Sequence, residues 1–219
     1  MDFEAARIKM VDNQIRTTDV TSHPVLSAFL TVPREAFVPE EVKALAYIDT
    51  DVKVSSADGG RYVMEPSPLA KLVQLAAVQP GDAVLEIGSN SGYGAAILSR
   101  IAQSVVAVES DAALAAKAKA TLSALGYGNV TVVEGPLEAG HAAKAPYDVI
   151  FLHGAVETVP DAVFNQLKDG GRLVAVVGYG NASRAKLFIR EGGIVSDSPS
   201  FNTAVKPLPG FRLAREFVF

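Results

Sequence analysis

The chain is predicted to be an α/β protein: a Rossmann-like, doubly wound, mostly parallel sheet, with antiparallel C-terminal strands and a helical N-terminal appendage. Three observations predict it. From Ala83 onward, short apolar runs alternate with helical stretches. The run Ala83–Ile87 passes directly into the small-residue turn Gly88-Ser89-Asn90-Ser91-Gly92, and a helix follows. A second apolar run, Val105–Val108, ends on Glu109, 21 residues after Gly88. Backbone passing close to a ligand beside a carboxylate that grips a ribose is the physical content of that pattern.

Taken in order, residues 1–80 read as helical and irregular. Met10, Val11, Gln14 and Ile15 share one helix face, and Val25, Leu26, Phe29 and Leu30 share another. Thr21, Ser22 and Pro24 are start signals for the second helix, and Pro33 stops it. A short acidic helix is expected near Pro39, and residues 55–60 read as loop. Ser67 followed by Pro68 reads as an N-cap with proline at the first helical position, opening a helix through Leu69, Leu72, Val73 and Ala76.

Strands are expected at 83–87, 104–109, 130–134, 147–152 and 171–177, and helices at 92–101, 111–125 and 160–167. The strands are continuous apolar runs, as a parallel sheet covered on both faces requires. After Gly178, Lys186–Arg190 and Ile194–Ser198 flank Glu191-Gly192-Gly193 as a hairpin, and Leu213–Phe219 reads as a strand-like tail. No linker interrupts the pattern, so 1–219 is expected to be one domain: appendage 1–80, cofactor-binding core 81–178 and C-terminal strands 179–219.

Composition narrows the function. With 49% hydrophobic and 20% charged residues, the chain is globular in type. A formal charge of −4 gives no basic footprint, which argues against nucleic acid as the main partner. Cysteine is absent, which excludes disulfides and thiolate metal sites. The three histidines, His23, His141 and His153, are too dispersed to suggest a metal site. No stretch reaches the roughly 20 apolar residues a membrane span needs, and Met1–Arg7 lacks an apolar signal core. A cytoplasmic setting with no membrane partner is the plain expectation.

The glycine spacing selects the nucleotide. A dinucleotide fingerprint wants glycine at the first, third and sixth positions, here Gly88, Asn90 and Tyr93, and it fails twice. Glycines at the first and fifth positions, Gly88 and Gly92, instead resemble motif I of class I S-adenosyl-L-methionine (SAM) methyltransferases. That resemblance implies SAM as cofactor and S-adenosyl-L-homocysteine as product. It places Gly88, Ser89, Asn90, Ser91 and Gly92 along the methionine end, Glu109 and Ser110 at the ribose, and Pro136 and Leu137 toward the adenine. Amides at the helix start would face the methionine carboxylate. Without a ligand, the glycines would make a tight connection and Glu109 an exposed carboxylate.

The N-terminal text sharpens the family. Met10-Val11-Asp12-Asn13-Gln14-Ile15-Arg16, Val32–Pro39 and Leu45-Ala46-Tyr47 resemble the opening of protein-L-isoaspartate O-methyltransferases. The resemblance continues through Val84–Gly92, Val106–Glu109, Asn129–Gly135, Ala145–Asp148 and Leu167–Leu173, covering roughly residues 7–178, and fades beyond 180. It implies methylation of a carboxylate on damaged aspartyl residues of a peptide or protein. A different methyl acceptor, including an unidentified small molecule, and cofactor binding without catalysis are the alternatives.

Three positions depart from the family pattern. Its loop Gly-Gln-Thr-Ile-Ser-Gln-Pro, whose serine lies beside the transfer site, aligns with Gly60-Arg61-Tyr62-Val63-Met64-Glu65-Pro66. The serine position is therefore Met64, and no catalytic residue is assigned. Methionine packs but donates no hydrogen bond. Asn90 replaces a motif glycine, a change that left-handed backbone tolerates. Gly135-Pro136-Leu137 replaces Gly-Asp-Gly, so an aspartate expected at the adenine is proline. Glu138 is the nearest substitute, against the blander reading of an exposed helix-start glutamate. His153 with Glu157 could contact substrate at the carboxyl edge of the sheet, or be a surface loop residue. Arg61 and Tyr62 could meet an acidic substrate, or be solvated.

Overall fold

The computed structural model describes residues 1–55 and 60–212. Most of the expected loop 55–60 and the expected tail Leu213–Phe219 lie outside the described residues. The appendage begins with α1 (Phe3–Met10), whose N-cap Asp2 side chain accepts from the Ala5 amide at 3.0 Å. It widens through a π-turn, Val11–Ile15, and then tightens in a 3₁₀ turn, Arg16–Thr18, burying Met10, Val11 and Ile15. Helix α2 (His23–Thr31) buries Val25, Leu26, Ala28 and Phe29. It stops where Pro33 drives Val32 into extended backbone. The acidic helix expected near Pro39 is a 3₁₀ turn, Glu40–Leu45.

Two short strands, β1 (Val52–Ser55) and β2 (Arg61–Val63), pair antiparallel in a small sheet of their own. The sequence did not announce them. Strands this short show no period, and Ser, Asp and Gly between them read as loop. Helix α3 (Pro66–Ala76) corrects another expectation. Pro66, not Pro68, takes the first helical position, and Glu65 is the N-cap. Leu69 N–H already donates to the Glu65 carbonyl, so Ser67 lies inside the first turn and donates its hydroxyl to Thr18 Oγ1 at 2.9 Å.

The large sheet follows: β3 (Ala83–Ile87), α4 (Tyr93–Ser99), β4 (Ser104–Glu109), α5 (Ala112–Ala124), β5 (Val130–Glu134), β6 (Tyr147–Val156), α6 (Asp161–Phe164), β7 (Leu167–Val177), β8 (Arg184–Glu191) and β9 (Ile194–Asn202). Its strand order is β5-β4-β3-β6-β7-β8-β9, parallel through β7 and antiparallel beyond. The expected alternation holds. Strands β6 and β7 are longer than read and helix α6 shorter; the hairpin extends to Arg184 and Asn202.

Both faces of the central strands β3, β4, β6 and the second half of β7 are dry, which is why these strands lack a polar period. Val84, Val105, Ala107, Val149, Phe151, Val174 and Val176 face the cluster shared with α1–α4. Leu85, Ile87, Val106, Val108, Ile150, Leu152, Leu173 and Ala175 face the opposite cluster. The strand order reverses between β3 and β6, and in open α/β sheets ligands bind at the carboxyl ends of strands at such a point. The turn after Ile87 and the end of β6 meet there.

Candidate cofactor and acceptor site

The turn after β3 takes left-handed backbone at alternate residues, with φ of 85° at Gly88, 60° at Asn90 and 93° at Gly92. Asparagine at the middle position is among the few side-chain residues that accept this conformation. The Gly88 and Ser89 amides both donate to the Val108 carbonyl, at 2.9 and 3.0 Å, clamping the turn to the end of β4. At Gly92 a Cβ would lie 3.0 Å from Leu122 Cδ1 and 3.2 Å from Ala118, so its bareness lets α4 start tight against α5. From the appendage, buried Arg34 stacks its guanidinium 5.0 Å over Tyr93 at the head of α4 and donates to the Ala46 carbonyl. Burial lowers the pKa of Arg34 and raises that of Tyr93 to about 12.

Glu109 ends β4 with no exposed surface. Its Oε1 accepts from the Ser110 and Asp111 amides at 2.9 and 3.1 Å, and its Oε2 from the Asn90 amide at 2.7 Å. On the remaining side, the Arg61 guanidinium donates to Oε2. Two expectations are corrected here. Glu109 is not an exposed carboxylate, and Arg61 is neither a solvated loop residue nor free for substrate. Its side chain keeps only 4% exposure, because β2 lays it across the turn. Asn90 Nδ2 fixes that strand further by donating to the Tyr62 carbonyl at 2.7 Å.

His153 is also relocated. It sits within β6 on the same face as Val149 and Phe151, so the strand's alternation turns the imidazole toward α4. Its Nδ1 lies 2.7 Å from Glu86 Oε1, and both side chains are buried. Gly94 leaves room for the pair, since a Cβ there would collide with both partners. The strand was expected to end at Leu152, and carrying its alternation one residue further gives the direction of His153.

Ser110 is exposed and serves Glu109 through its amide. Pro136 is exposed, while the Leu137 side chain is buried in the core and leaves only backbone toward any ligand. Glu138 is exposed and its Oε2 lies beside Gly210, not turned into the recess.

Between these groups lies a recess of about 310 Å³, open solvent included, reached by Arg61, Tyr62, Met64, Asn90, His153 and Lys206. The room left inside it is only about 20 Å³, space for a single water and far below the roughly 300–1,000 Å³ typical of small-molecule pockets. The C-terminal segment closes one wall. Ala155 exchanges hydrogen bonds with it, donating to the Lys206 carbonyl at 2.9 Å and accepting from the Leu208 amide at 2.8 Å. A Leu208 methyl thereby fills the space a Cβ on Gly88 would take. Among the described residues, no group of three or more His, Cys, Asp or Glu could hold a metal ion, and no helix is long and apolar enough to cross a membrane.

A doubly wound sheet of this order, with a glycine turn after its first parallel strand and a carboxylate ending its second, is the frame of a class I methyltransferase. The chain belongs to the protein-L-isoaspartate(D-aspartate) O-methyltransferase family, whose sequence model matches residues 5–208. It is 39% identical over 176 residues to the protein-L-isoaspartate O-methyltransferase of Koribacter versatilis (strain Ellin345), covering 80% of this chain and 78% of that protein. It is 37% identical over 210 residues to the enzyme of that name from Roseiflexus sp. (strain RS-1), covering 96% and 94%.

Among solved structures, a protein-L-isoaspartate O-methyltransferase superposes with a TM-score of 0.83 at 29% identity, over 93% of this chain and 66% of that one. A Plasmodium falciparum structure, titled a putative member of the family in complex with S-adenosyl-L-homocysteine, shares the fold with a TM-score of 0.77 at 17% identity, covering 95% and 98%. The family is one of SAM-dependent O-methyltransferases.

The residues present fit that cofactor. Ser89 Oγ, Asn90 Oδ1 and Ser91 Oγ are buried on the turn without partners, a row of polar atoms suited to a polar ligand. Glu109 stands at the strand tip where a ribose diol would be held. Two side chains of the chain itself, Arg61 and Leu208, stand in the same space.

Proposed function

We propose that the chain moves a methyl group from SAM to a carboxylate on a peptide or protein, the isoaspartyl substrate for which its relatives are named. The observation that carries this reading is the buried carboxylate of Glu109 facing the Gly88–Gly92 turn across the topological switch point. When bound, the cofactor supplies an electrophilic methyl on a sulfonium. Gly88, Ser89, Asn90, Ser91 and Gly92 line its amino-acid end, Glu109 takes the ribose with Ser110 holding the carboxylate in place, and Pro136 with the Leu137 backbone borders the adenine. The unit that carries this activity joins appendage and sheet, since one core cluster runs from Met10 to Ala185 across both.

The acceptor side follows from the recess. An aspartyl-type carboxylate, with a pKa of roughly 4, is ionised at neutral pH and needs no general base. The protein must orient it and exclude water. Met64, at the serine position of the family loop, is buried and contributes packing alone. The polar contacts fall to His153, whose Nε2 is buried and unpartnered, and to Lys206, whose ammonium sits 5.1 Å over the Tyr62 ring.

The test is SAM with an isoaspartyl peptide and detection of volatile methanol released from the methyl ester. Methanol at a rate that depends on both substrates is expected. Cofactor binding without ester formation would leave a different acceptor, the reading that Met64 favours.

A further inference from the structure

Glu109 does not need Arg61. Three backbone amides, of Asn90, Ser110 and Asp111, already donate to its carboxylate. Among the described residues, the guanidinium is the one donor to Glu109 carried by a strand outside the large sheet, the short β2. It is incompletely satisfied there, since Arg61 Nε is buried without a partner. The same face is closed twice more: Asn90 Nδ2 holds the Tyr62 carbonyl, and Leu208 lies against Gly88.

We propose that Arg61 is an internal stand-in for the cofactor's ribose: its guanidinium donates to Glu109 where the ribose hydroxyls would, and cofactor affinity is set by how readily it leaves. The proposal rests on the SAM reading above. Arg61 and the ribose cannot both donate to the ligand-facing side of Oε2. Each cofactor molecule therefore binds against a charge-assisted hydrogen bond that must first be broken. A chain carrying glutamine here, the residue of the family loop, loses that competitor and keeps the carboxylate.

The experiment is calorimetric titration of S-adenosyl-L-homocysteine into wild type, Arg61→Gln and Arg61→Lys. The glutamine variant should bind at least tenfold more tightly than wild type, with lysine between. Arg61→Gln should also melt lower without ligand, yet gain a larger rise in Tm from it. A purely structural Arg61 would lower Tm and leave the ligand-induced rise unchanged or smaller. Equal or weaker binding by Arg61→Gln, with wild-type binding measurable, overturns the stand-in and spares the cofactor reading. No heat from any of the three at millimolar ligand overturns both. Should the variants fail to fold, a wild-type crystal structure with S-adenosyl-L-homocysteine decides: Arg61 withdrawn from Glu109 supports the proposal, and contact retained beside a bound ribose refutes it.

Discussion

Each edge of the large sheet carries two carboxylates paired with basic side chains, built on opposite principles. At the amino edge Asp82 meets Arg172 and Asp148 meets Lys168, with side chains 12–42% exposed. Their other contacts tie elements together: Arg172 also donates to the Ala76 and Ala77 carbonyls at the end of α3, Asp82 accepts from the Gln79 amide, and Asp148 from the Ala83 amide. At the carboxyl edge Glu109 meets Arg61 and Glu86 meets His153, and no side chain exceeds 4% exposure. Glu86 Oε2, His153 Nε2 and Arg61 Nε are left without partners. Dry, incompletely satisfied polar pairs are poor stabilisers, because desolvation offsets their attraction. The amino edge is arranged for holding and the carboxyl edge for binding.

The largest expected effect breaks the dry edge. Glu109→Ala strands the Arg61 guanidinium in a buried place, and removing one partner of such a pair costs about 3–5 kcal/mol. Urea unfolding should show that loss together with abolished S-adenosyl-L-homocysteine binding. A loss below about 1 kcal/mol would mean that water reaches Arg61 and that the two edges do not differ as described.

Next comes the holding edge. Arg172→Ala removes hydrogen bonds of 2.6 and 2.7 Å to the α3 carbonyls and the pair with Asp82. With charged groups worth about 1.5–3 kcal/mol in such contacts, a stability loss of about 2 kcal/mol is expected. Cofactor affinity should stay within twofold, since the change lies at the opposite end of the strands. A large drop in affinity would join the two edges into one cooperative unit.

Gly94→Ala sharpens the contrast further. Alanine in a helix is intrinsically favoured over glycine by roughly 1 kcal/mol. Here its Cβ would enter the Glu86–His153 pair, and overpacking costs about 1–3 kcal/mol. A net loss near 1 kcal/mol is expected in thermal unfolding. A stabilised variant would show that the pair gives way easily and is not held in place by α4.

What the sequence disclosed divides along the same line. The parallel strands and their places along the chain were legible because a sheet buried on both faces writes itself as continuous apolar runs, and the tight turn at Gly88 and Gly92 with Glu109 ending the next strand was legible from residue type and spacing. What fills the site was not. Arg61 reaches Glu109 across 48 residues through a three-residue strand, and Leu208 reaches Gly88 from an irregular segment that pairs with β6 at the isolated bridge of Ala155 and Pro207. Neither contact leaves a period. The one available signal was chemical: a cation at position 61 in the loop beside an expected ribose carboxylate. Ser67 shows the reverse error, a legible cap pattern overridden by Pro66 one residue earlier.

The smallest effect tests whether the amino edge stabilises as a wet edge should. Burial pushes the Asp148 carboxyl up, but the hydrogen bonds from Lys168 and the Ala83 amide, with the charges of Lys168 and Arg172, outweigh it and leave the pKa below the ordinary aspartate value. A depressed folded-state pKa stabilises the protein above the unfolded value of about 3.9, and that contribution fades as pH falls through the folded value. Lys168 is 42% exposed, so screening holds the pair to under about 1 kcal/mol. Asp148→Asn should therefore be slightly less stable than wild type in urea at pH 7, with the gap closing in acid below about pH 4 and narrowing in high salt. A gap that persists unchanged at pH 3 would assign the loss to geometry at the Ala83 amide, and the amino edge would then hold by shape instead of charge.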